Sequence, residues 1–396
     1  MLKNRFSQII AFFLFLIITI IVIKKFNKYY SQNDIAKILI LFILLLNFLL
    51  GFLIRKFTKI SFVFFGYFVL TLYSVNSLIL IFNIQNTPQK KIEKLLKKEN
   101  KTFDKRSLIE VVKDERSKGL DIYPHVVPRE FLKKNKKKIP LTPMSNTLFV
   151  SCNEFGEWKK FKTDKLGLNN EKFINKFDIL LMGDSFAEGS CVNQSDEPAN
   201  LLNLNYNLKT YNIGISGNGP LLSLALAHEI KPLTDFHSII WFIYDNDFYD
   251  LNLEIQSKFL IGFLKKNYKN SRYFRNIDEA TKFQKKYINN NLESLDRGFS
   301  FKESFFELKA VISRINTLIY QKNPKDNFVS QKQLFKSIFE KLTYIYPQKE
   351  IYVVYLPETT CFSHRSLQCS KRFEELRETS NDLNFLNFYE YLKNNN

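Results

Sequence analysis

The sequence predicts an α/β fold in which three N-terminal transmembrane helices precede a soluble domain with a parallel sheet. Two observations predict it. The apolar residues concentrate in the first 83 positions, in nearly uncharged runs long enough to cross a bilayer. From Phe177 onwards, short apolar runs alternate with helical segments, a pattern typical of parallel strands that helices cover on both faces.

The composition excludes several classes of protein. Among the 396 residues there are 58 Lys+Arg and 39 Asp+Glu, a net charge of +19, and 45% of the residues are apolar. A disordered chain, a collagen-like chain and a small disulfide-rich scaffold do not have this composition. Zinc-finger spacing and RNA-binding aromatic signatures are absent from the sequence, so we expect no nucleic-acid partner despite the positive charge.

Three apolar stretches predict a membrane anchor over residues 1–83. Residues 7–23, 36–54 and 60–82 have 17, 19 and 23 residues, and a bilayer core of about 30 Å needs roughly 20 helical residues. The first stretch follows two basic residues, as in a signal peptide, but no small-residue cleavage site comes after it. We therefore expect three retained helices, with the lipid bilayer as a partner.

The basic residues predict the topology. If Lys3 and Arg5 are cytoplasmic, three crossings place the soluble domain in the periplasm and the protein in the inner (cytoplasmic) membrane. The basic stretch 90–106 would then lie outside, against the positive-inside rule, so the topology stays open. Residues 84–140 are expected to form a basic juxtamembrane connector, and residues 141–396 to form the soluble domain.

Polar residues follow three of the predicted strands. The strands are read from the runs FDILLMGDS, LKTYNIGIS, HSIIWFIYDND and EIYVVYLPE, with helices at 219–231 and in the region 301–345. Ligands of parallel sheets bind at the carboxyl ends of strands. The polar clusters at those ends are Gly183-Asp184-Ser185, Ser216-Gly217-Asn218 and Asp245-Asn246-Asp247.

Ser185 is the first candidate for chemistry. A serine after a strand and a glycine turn is either an exposed nucleophile or the N-cap of the next helix. Gly217 brings a backbone N–H close to a ligand, and Asn246 offers an amide donor. Together with the Ser185 amide, these donors are suited to an oxyanion hole for a tetrahedral acyl intermediate.

These blocks resemble those of the SGNH (GDSL-like) hydrolase family. The similar segments are Gly183-Asp184-Ser185-Phe186, Asn212-Ile213-Gly214-Ile215-Ser216-Gly217 and Tyr244-Asp245-Asn246-Asp247, in the family's order. Upstream, Thr163 to Asn170 is similar to the lead-in of bacterial membrane-anchored members, so the resemblance covers roughly residues 120–396. It implies a flavodoxin-like three-layer domain with Ser185 as the nucleophile and Gly217 and Asn246 in the oxyanion hole. It also implies hydrolysis or transfer of acyl esters, with O-acetyl groups of cell-surface glycans as substrate and no cofactor.

The family's final Asp-x-x-His block is not found. The closing stretch LNFLNFYEYLKNN resembles the strand and loop that precede it, so we expect the domain to be incomplete at its C-terminus. Without an adjacent base, a serine loses roughly a hundredfold to ten-thousandfold in rate. Of the four histidines, His364 follows a predicted strand at the correct sheet edge and is the candidate substitute base, with an ordinary loop histidine as the alternative. His228 and His237 are expected to be structural, and His125 lies before the catalytic core, next to Pro124.

The neighbouring acidic residues and the cysteines have simpler interpretations. Asp184, Glu188, Asp245 and Asp247 are expected to hydrogen-bond the loop backbone, and their spacing matches no known metal site. Four cysteines permit disulfides in an oxidising compartment. Cys361 and Cys369 are close enough in sequence to bridge, but spacing alone does not define the pairing.

Three functions remain open from the sequence. The first is a membrane-anchored serine esterase or acyltransferase acting on glycan esters. The second is a catalytically inactive, SGNH-like module that binds a glycan or supports assembly at the membrane. In the third, the predicted membrane helices carry the function and the soluble domain is a regulatory platform. The sequence leaves the sugar, the choice between hydrolysis and transfer, and the oligomeric state undefined.

Overall fold

The computed structural model describes residues 88–132, 139–265, 268, 273–295, 325–358 and 366–395, together with Tyr73, Asn76 and Ser77. The chain divides into two compact units. The first comprises Met1–Ile81 with Phe305–Ile312. In this unit the Ser77 hydroxyl donates a hydrogen bond to the carbonyl oxygen of Tyr73, one helical turn earlier, at 2.6 Å. The second comprises the rest of the chain and contains the sheets and the candidate site.

The prediction of three transmembrane helices is corrected by the structure. Within the ranges given above, no helix combines the length and the apolar character needed to cross a membrane. The longest described helices, Ile277–Leu295 and Lys325–Ile345, have 19 and 21 residues but carry several charged side chains each. They bury only one face, as Ile288 and Phe339 show. The predicted spans 7–23, 36–54 and 60–82 lie outside the described residues except for Tyr73, Asn76 and Ser77.

The second unit contains twelve described α-helices and eight described strands. The helices are α1 (Pro88–Lys98), α2 (Leu108–Ser117), α3 (Arg129–Leu132), α4 (Ser185–Glu188), α5 (Pro198–Tyr206), α6 (Pro220–Ile230), α7 (Asp247–Glu254), α8 (Lys258–Gly262), α9 (Ile277–Leu295), α10 (Lys325–Ile345), α11 (Ser366–Arg377) and α12 (Phe388–Asn395). The strands are β1 (Ile122–Pro124), β2 (Leu148–Val150), β3 (Lys160–Lys162), β4 (Ile179–Met182), β5 (Thr210–Asn212), β6 (Ser238–Tyr244), β7 (Glu350–Leu356) and β8 (Asn384–Asn387).

The main sheet has five parallel strands in the order β5-β4-β6-β7-β8. The α/β architecture with a parallel sheet is therefore present as the sequence predicts. The central strands β4 and β6 are apolar along most of their length because helices cover both faces there, whereas the edge strand β8 exposes Asn384 and Leu386. Leu180 and Met182 of β4 belong to the main apolar core, whereas Leu181 packs into a second cluster with Ala199 and Phe242.

Helix α6 and strand β6 lie at the centre of the main core. Ten of the eleven residues of α6 are buried, and β6 alternates buried and half-buried positions, with Trp241 against Phe339 of α10. Burying such side chains stabilises the fold by roughly 1.5 to 3 kcal/mol each. This rigid centre fixes the strand ends on which the candidate site is built.

A smaller sheet lies beside the segment that carries Ser185 and Glu188. Strands β1 and β2 are parallel and β3 is antiparallel to β2. Ile122 and Phe131, which the sequence places in the connector, are fully buried. Phe131 belongs to the same apolar core as the main sheet. Residues 122–132 are thus integral to the folded unit and bring His125 and Arg129 towards its core.

Candidate active site

A sharp turn after β4 places Ser185 at the carboxyl edge of the sheet. Gly183 has a φ of +145°, and a Cβ at this position would lie 2.7 Å from the carbonyl oxygen of Phe242. Asp184 is fully buried and caps α4 by accepting a hydrogen bond from the Phe186 N–H at 3.0 Å. Ser185, half-buried, is therefore the first residue of a capped helix rather than the cap itself.

The residues that follow β5 pack directly on α4. Asn212 donates from Nδ2 to the carbonyl oxygen of Ala187 at 2.6 Å and accepts from the Gly214 N–H at 2.8 Å. A Cβ on Gly214 would lie 2.6 Å from that of Ala187 and 2.7 Å from the Glu188 nitrogen. The asparagine and first glycine of this block hold the helix that begins with Ser185.

The lead-in segment fixes the same strand end from the other side. Asn170 accepts from the Asn212 N–H at 3.0 Å and donates to the Asn212 carbonyl at 2.8 Å. Asp164 accepts from the N–H groups of Leu166 and Leu168 and from the Tyr211 hydroxyl, at 2.8, 3.1 and 2.5 Å. Burial raises the pKa of this carboxyl, and the hydrogen bonds oppose that effect. The segment acts as a brace for β5.

Gly217 lies beyond the end of β5 in a left-handed conformation. Its φ is +74°, which disfavours any residue with a side chain. The preceding Ser216 donates from both its N–H, at 3.1 Å, and its hydroxyl to Oε2 of Glu188, the last residue of α4. Glu188 therefore ties the Gly217 loop to the helix that carries Ser185.

Asn246 lies beyond the end of β6 and immediately precedes α7. Its Nδ2 donates to Oδ2 of Asp250 at 3.4 Å, and its side chain also hydrogen-bonds Asp184. Burial raises the pKa of the Asp184 carboxyl, while the hydrogen bonds from Phe186 and Asn246 oppose the rise. Strands β5, β4 and β6 are neighbours, so the structure brings Ser185, Gly217 and Asn246 to one edge of the sheet.

Of the acidic residues beside Asn246, Asp247 makes the local backbone hydrogen bond expected of it, whereas Asp245 bonds residues distant in sequence. Asp247 accepts from the Tyr244 N–H at 2.8 Å, and burial together with nearby carboxylates raises its pKa well above the usual range. Asp245 is fully buried and accepts from the Tyr355 hydroxyl at 2.7 Å, the Glu358 N–H at 3.0 Å and Nη1 of Arg372 at 2.8 Å. Asp245 therefore joins the ends of β6 and β7.

A buried carboxyl group also caps the N-terminus of α6. Glu254 accepts from the N–H groups of Gly219, Leu221 and Leu222 at 2.7, 2.8 and 3.3 Å. Burial raises the pKa of this carboxyl to about 8, although the three N–H groups favour its charged form. In the described ranges, no group of three or more His, Cys, Asp or Glu side chains is arranged to hold a metal ion.

The histidines occupy different environments. His364, the candidate base, lies outside the described residues. His228 lies 3.6 Å from Glu229, and His237 is exposed beside Asp178. His125 is buried against Phe149 and Phe161, with Nε2 3.6 Å from Oε1 of Glu188. The Ser185 hydroxyl lies 3.5 Å from Oδ2 of Asp184.

Sequence reasoning placed His125 before the catalytic core and did not single out Arg129. Each contacts a residue of the candidate site: His125 approaches Glu188, and Arg129 lies against Gly217. The sequence offers no spacing signal for either contact. Both pairs are separated by more than sixty residues, and the small sheet that positions residues 122–132 is built from strands of only three residues.

Burial of His125 predicts a specific pH dependence of stability. Burial lowers the pKa of this imidazole below its usual 6.5, and the nearby Glu188 partly offsets that effect. The unfolded chain therefore binds a proton near pH 6.5 that the folded chain does not, so stability falls as the pH drops from 6.5 through the folded pKa. Relative to His125→Gln, the wild type should lose up to about 1.4 kcal/mol per pH unit in that window.

Urea denaturation of both proteins between pH 7 and pH 5 measures this difference. The carboxyl groups titrate in both proteins, so their contributions to the pH dependence of stability cancel in the comparison. His237→Gln, at a largely exposed position, is the control and should follow the wild type. Parallel stability curves for the wild type and His125→Gln would contradict the prediction.

A disulfide joins Cys152 to Cys191, with a Cα–Cα distance of 5.5 Å. It links the segment after β2 to the loop that leaves α4. Nearby, Nζ of Lys159 donates to the carbonyl oxygen of Gly189 and to Glu197, both at 2.8 Å. The alternative pairing that the sequence permits involves Cys361, which lies outside the described residues.

The fold and the three strand ends define a parallel α/β protein with a serine at the start of a helix on the carboxyl edge of its sheet. A scan against models of protein families finds no match to this chain. A comparison with curated proteins finds no match either.

Proposed function

We propose that this chain is an SGNH-type serine esterase or acyltransferase that acts on acyl esters, with O-acetyl groups of cell-surface glycans as its substrate class. One observation carries the proposal. Three segments far apart in sequence place Ser185, Gly217 and Asn246 at the carboxyl ends of three adjacent parallel strands. This edge is where ligands bind in parallel α/β sheets.

Each residue has a defined role in the proposed reaction. The Ser185 hydroxyl oxygen attacks the ester carbonyl carbon and its proton passes to a general base, for which His364 is the candidate. The N–H groups of Ser185 and Gly217 and the Asn246 amide stabilise the oxyanion that forms. Collapse of this intermediate releases the alcohol and leaves an acyl-serine, which water hydrolyses or a second hydroxyl takes over.

To stabilise the oxyanion, the Asn246 side-chain amide must direct one of its N–H groups at it. In the structure its Nδ2 donates to Asp250 at 3.4 Å and its side chain bonds Asp184. The contact with Asp250 is long, and hydrogen bonds of this length are weak. Substrate binding is therefore expected to shift one N–H of Asn246 from a carboxylate to the carbonyl oxygen, as catalytic hydrogen bonds often tighten only in the complex.

An aromatic surface adjoins Ser185. Phe186 is 45% exposed, and its ring centroid lies 4.3 Å from that of Tyr244. Aromatic rings offer an apolar surface with a polar edge where hydroxyl groups are present. Such a surface suits the apolar face of a sugar ring beside the ester.

Covalent labelling tests the role assigned to Ser185. A fluorophosphonate should phosphonylate Ser185, because its tetrahedral adduct mimics the acyl intermediate and uses the same oxyanion donors. Peptide mass spectrometry of the labelled full chain should find the adduct on Ser185 and not on the exposed Ser195. An unlabelled Ser185 in a folded protein would favour the inactive binding module.

The binding module remains the second candidate because of the described histidines. His125, His228 and His237 lie beside Glu188, Glu229 and Asp178, respectively. The Ser185 hydroxyl instead lies against the carboxylate of Asp184. In this second function the carboxyl edge of the sheet binds a glycan without cleaving it, and glycan binding without Ser185-dependent turnover would support it.

A further inference from the structure

Arg129 covers the open side of Gly217. A Cβ on Gly217 would lie 3.3 Å from Cδ and 3.9 Å from Cβ of Arg129. The arginine is the first residue of α3, and the stem of its side chain therefore passes over the backbone that offers a proposed oxyanion donor. A cation is thus placed beside one of the proposed catalytic groups.

An ion pair with Asp250 holds the guanidinium of Arg129 near Asn246, another proposed oxyanion donor. Nη1 of Arg129 lies 2.6 Å from Oδ1 of Asp250, whose Oδ2 accepts from Nδ2 of Asn246 at 3.4 Å. Asp250 is 2% exposed. The arginine side chain therefore extends from Gly217 towards the Asn246 amide, along the edge where the reacting ester would lie.

The ion pair leaves part of the guanidinium available. The Arg129 side chain is 30% exposed, whereas that of Asp250 is 3% exposed. A guanidinium has five N–H donors, and one carboxylate engages at most two of them in a bidentate pair. The remaining donors are suited to a second anion that enters from the solvent.

Asp250 is the carboxylate that pairs directly with Arg129. Burial disfavours the charged forms of the neighbouring carboxyls: it raises the pKa of Asp184 and Asp247, and that of Glu254 to about 8. The net charge of +19 favours the approach of an anionic polymer at long range.

Asn218, the residue after Gly217, has an unpaired side-chain amide. It is 1% exposed. Among the described residues, neither Oδ1 nor Nδ2 of its side chain has a hydrogen-bond partner. Buried polar groups are nearly always hydrogen-bonded, so this amide is available to a polar group that enters beside Gly217.

We propose that Arg129 is a specificity-determining residue that binds a carboxylate of the substrate, so that the site prefers acyl esters of acidic glycans to those of neutral ones. This inference rests on the proposed function and names the substrate class of the same site. The substrate carboxylate would pair with the guanidinium donors that Asp250 does not use.

Two small esters that differ only in charge test the proposal with the full chain. They are 3-acetoxybenzoate and its methyl ester, which share the acetyl group and the ring. The ratio of kcat/KM for the acid to that for the methyl ester should fall about tenfold in Arg129→Gln, because a charge-assisted pair is worth roughly 1.4 kcal/mol or more. Arg129→Lys should retain part of the preference.

The ratio of the two kcat/KM values distinguishes binding of the substrate carboxylate by Arg129 from a purely structural role of this residue. If Arg129 only positions Asp250 and Asn246, both esters lose rate equally and the ratio does not change. Arg106→Gln is a matched control, because Arg106 is an exposed arginine paired with Asp104 and Asp114. It should leave the ratio at the wild-type value.

If Arg129→Gln does not fold, a double variant provides the same test. Removing the arginine alone leaves Asp250 buried without its cation, which is costly. Arg129→Gln/Asp250→Asn removes both charges, and its thermal unfolding reports whether the fold is kept. The same tenfold fall in the ratio is expected in this variant.

The outcomes distinguish this inference from the proposed function. Ser185-dependent turnover of both esters with an unchanged ratio in the Arg129 variants overturns the inference and leaves the function standing. Absence of turnover counts against the function, and calorimetric titration with a trigalacturonate then tests Arg129 by itself. Binding at least tenfold weaker in the folded variants supports the anion site, and undetectable or equal binding overturns it.

Discussion

Replacing Ser185 with alanine is expected to reduce hydrolysis of an aryl acetate by the 396-residue chain to the background rate. Alanine removes the oxygen that would form the acyl bond while keeping the size and the helix propensity of the position. The expected loss is on the order of a thousandfold or more if a base assists the wild type. Initial rates at matched concentration, with circular dichroism to establish the fold, measure the effect.

Ser195→Ala provides the control for this experiment. Ser195 is exposed on the loop beyond α4 and hydrogen-bonds Asp196 at 3.2 Å. Its removal should leave the rate unchanged. Equal rates for the wild type and Ser185→Ala would contradict the esterase and favour the glycan-binding module, since the fold would remain without the chemistry.

Asp245→Ala should destabilise the protein strongly. The Asp245 carboxylate is fully buried and holds Arg372, the Tyr355 hydroxyl and the Glu358 N–H. Its loss leaves these donors unpaired between β6 and β7. Breaking a buried ion pair from one side costs about 3 to 5 kcal/mol. Urea denaturation at pH 7 is the measurement.

An exposed aspartate serves as the comparison. Asp235 faces Lys349 at 3.5 Å, and its side chain is 75% exposed. Asp235→Ala should therefore change the free energy of unfolding by less than about 1 kcal/mol. If Asp245→Ala cost no more than this control, the contacts across the ends of β6 and β7 would not stabilise the fold as the geometry indicates.

The sequence by itself determined the sheet and the positions of its strand ends. The apolar runs ahead of Ser185 and Asn246 appear as β4 and β6, and the predicted helix 219–231 appears as Pro220–Ile230. These predictions rest on local causes: strands covered on both faces must be continuously apolar, and the chain becomes polar where it leaves the core. The three candidate residues could be located in this way because each lies within five residues of the end of a strand.

Predictions outside the sheet rested on local composition. Apolar stretches of bilayer-spanning length predicted three transmembrane helices in residues 7–82, of which the structure describes Tyr73, Asn76 and Ser77, and none of the described helices is long and apolar enough to cross a membrane. The connector prediction likewise relied on composition, whereas residues such as Phe131 are buried in the core. Burial of a segment depends on what packs against it, which composition does not report.

Only the tertiary structure decided which distant residues meet at the site. The Cys152–Cys191 disulfide, the Asn170–Asn212 brace and the Arg129–Asp250 ion pair each join residues that are tens of residues apart. Cysteine spacing leaves several pairings possible, and a charge pair has no sequence periodicity. Contacts between separate elements depend on how the whole chain packs, whereas strand boundaries depend on short stretches of sequence. The sequence therefore located the candidate nucleophile, and the packing determined its neighbours.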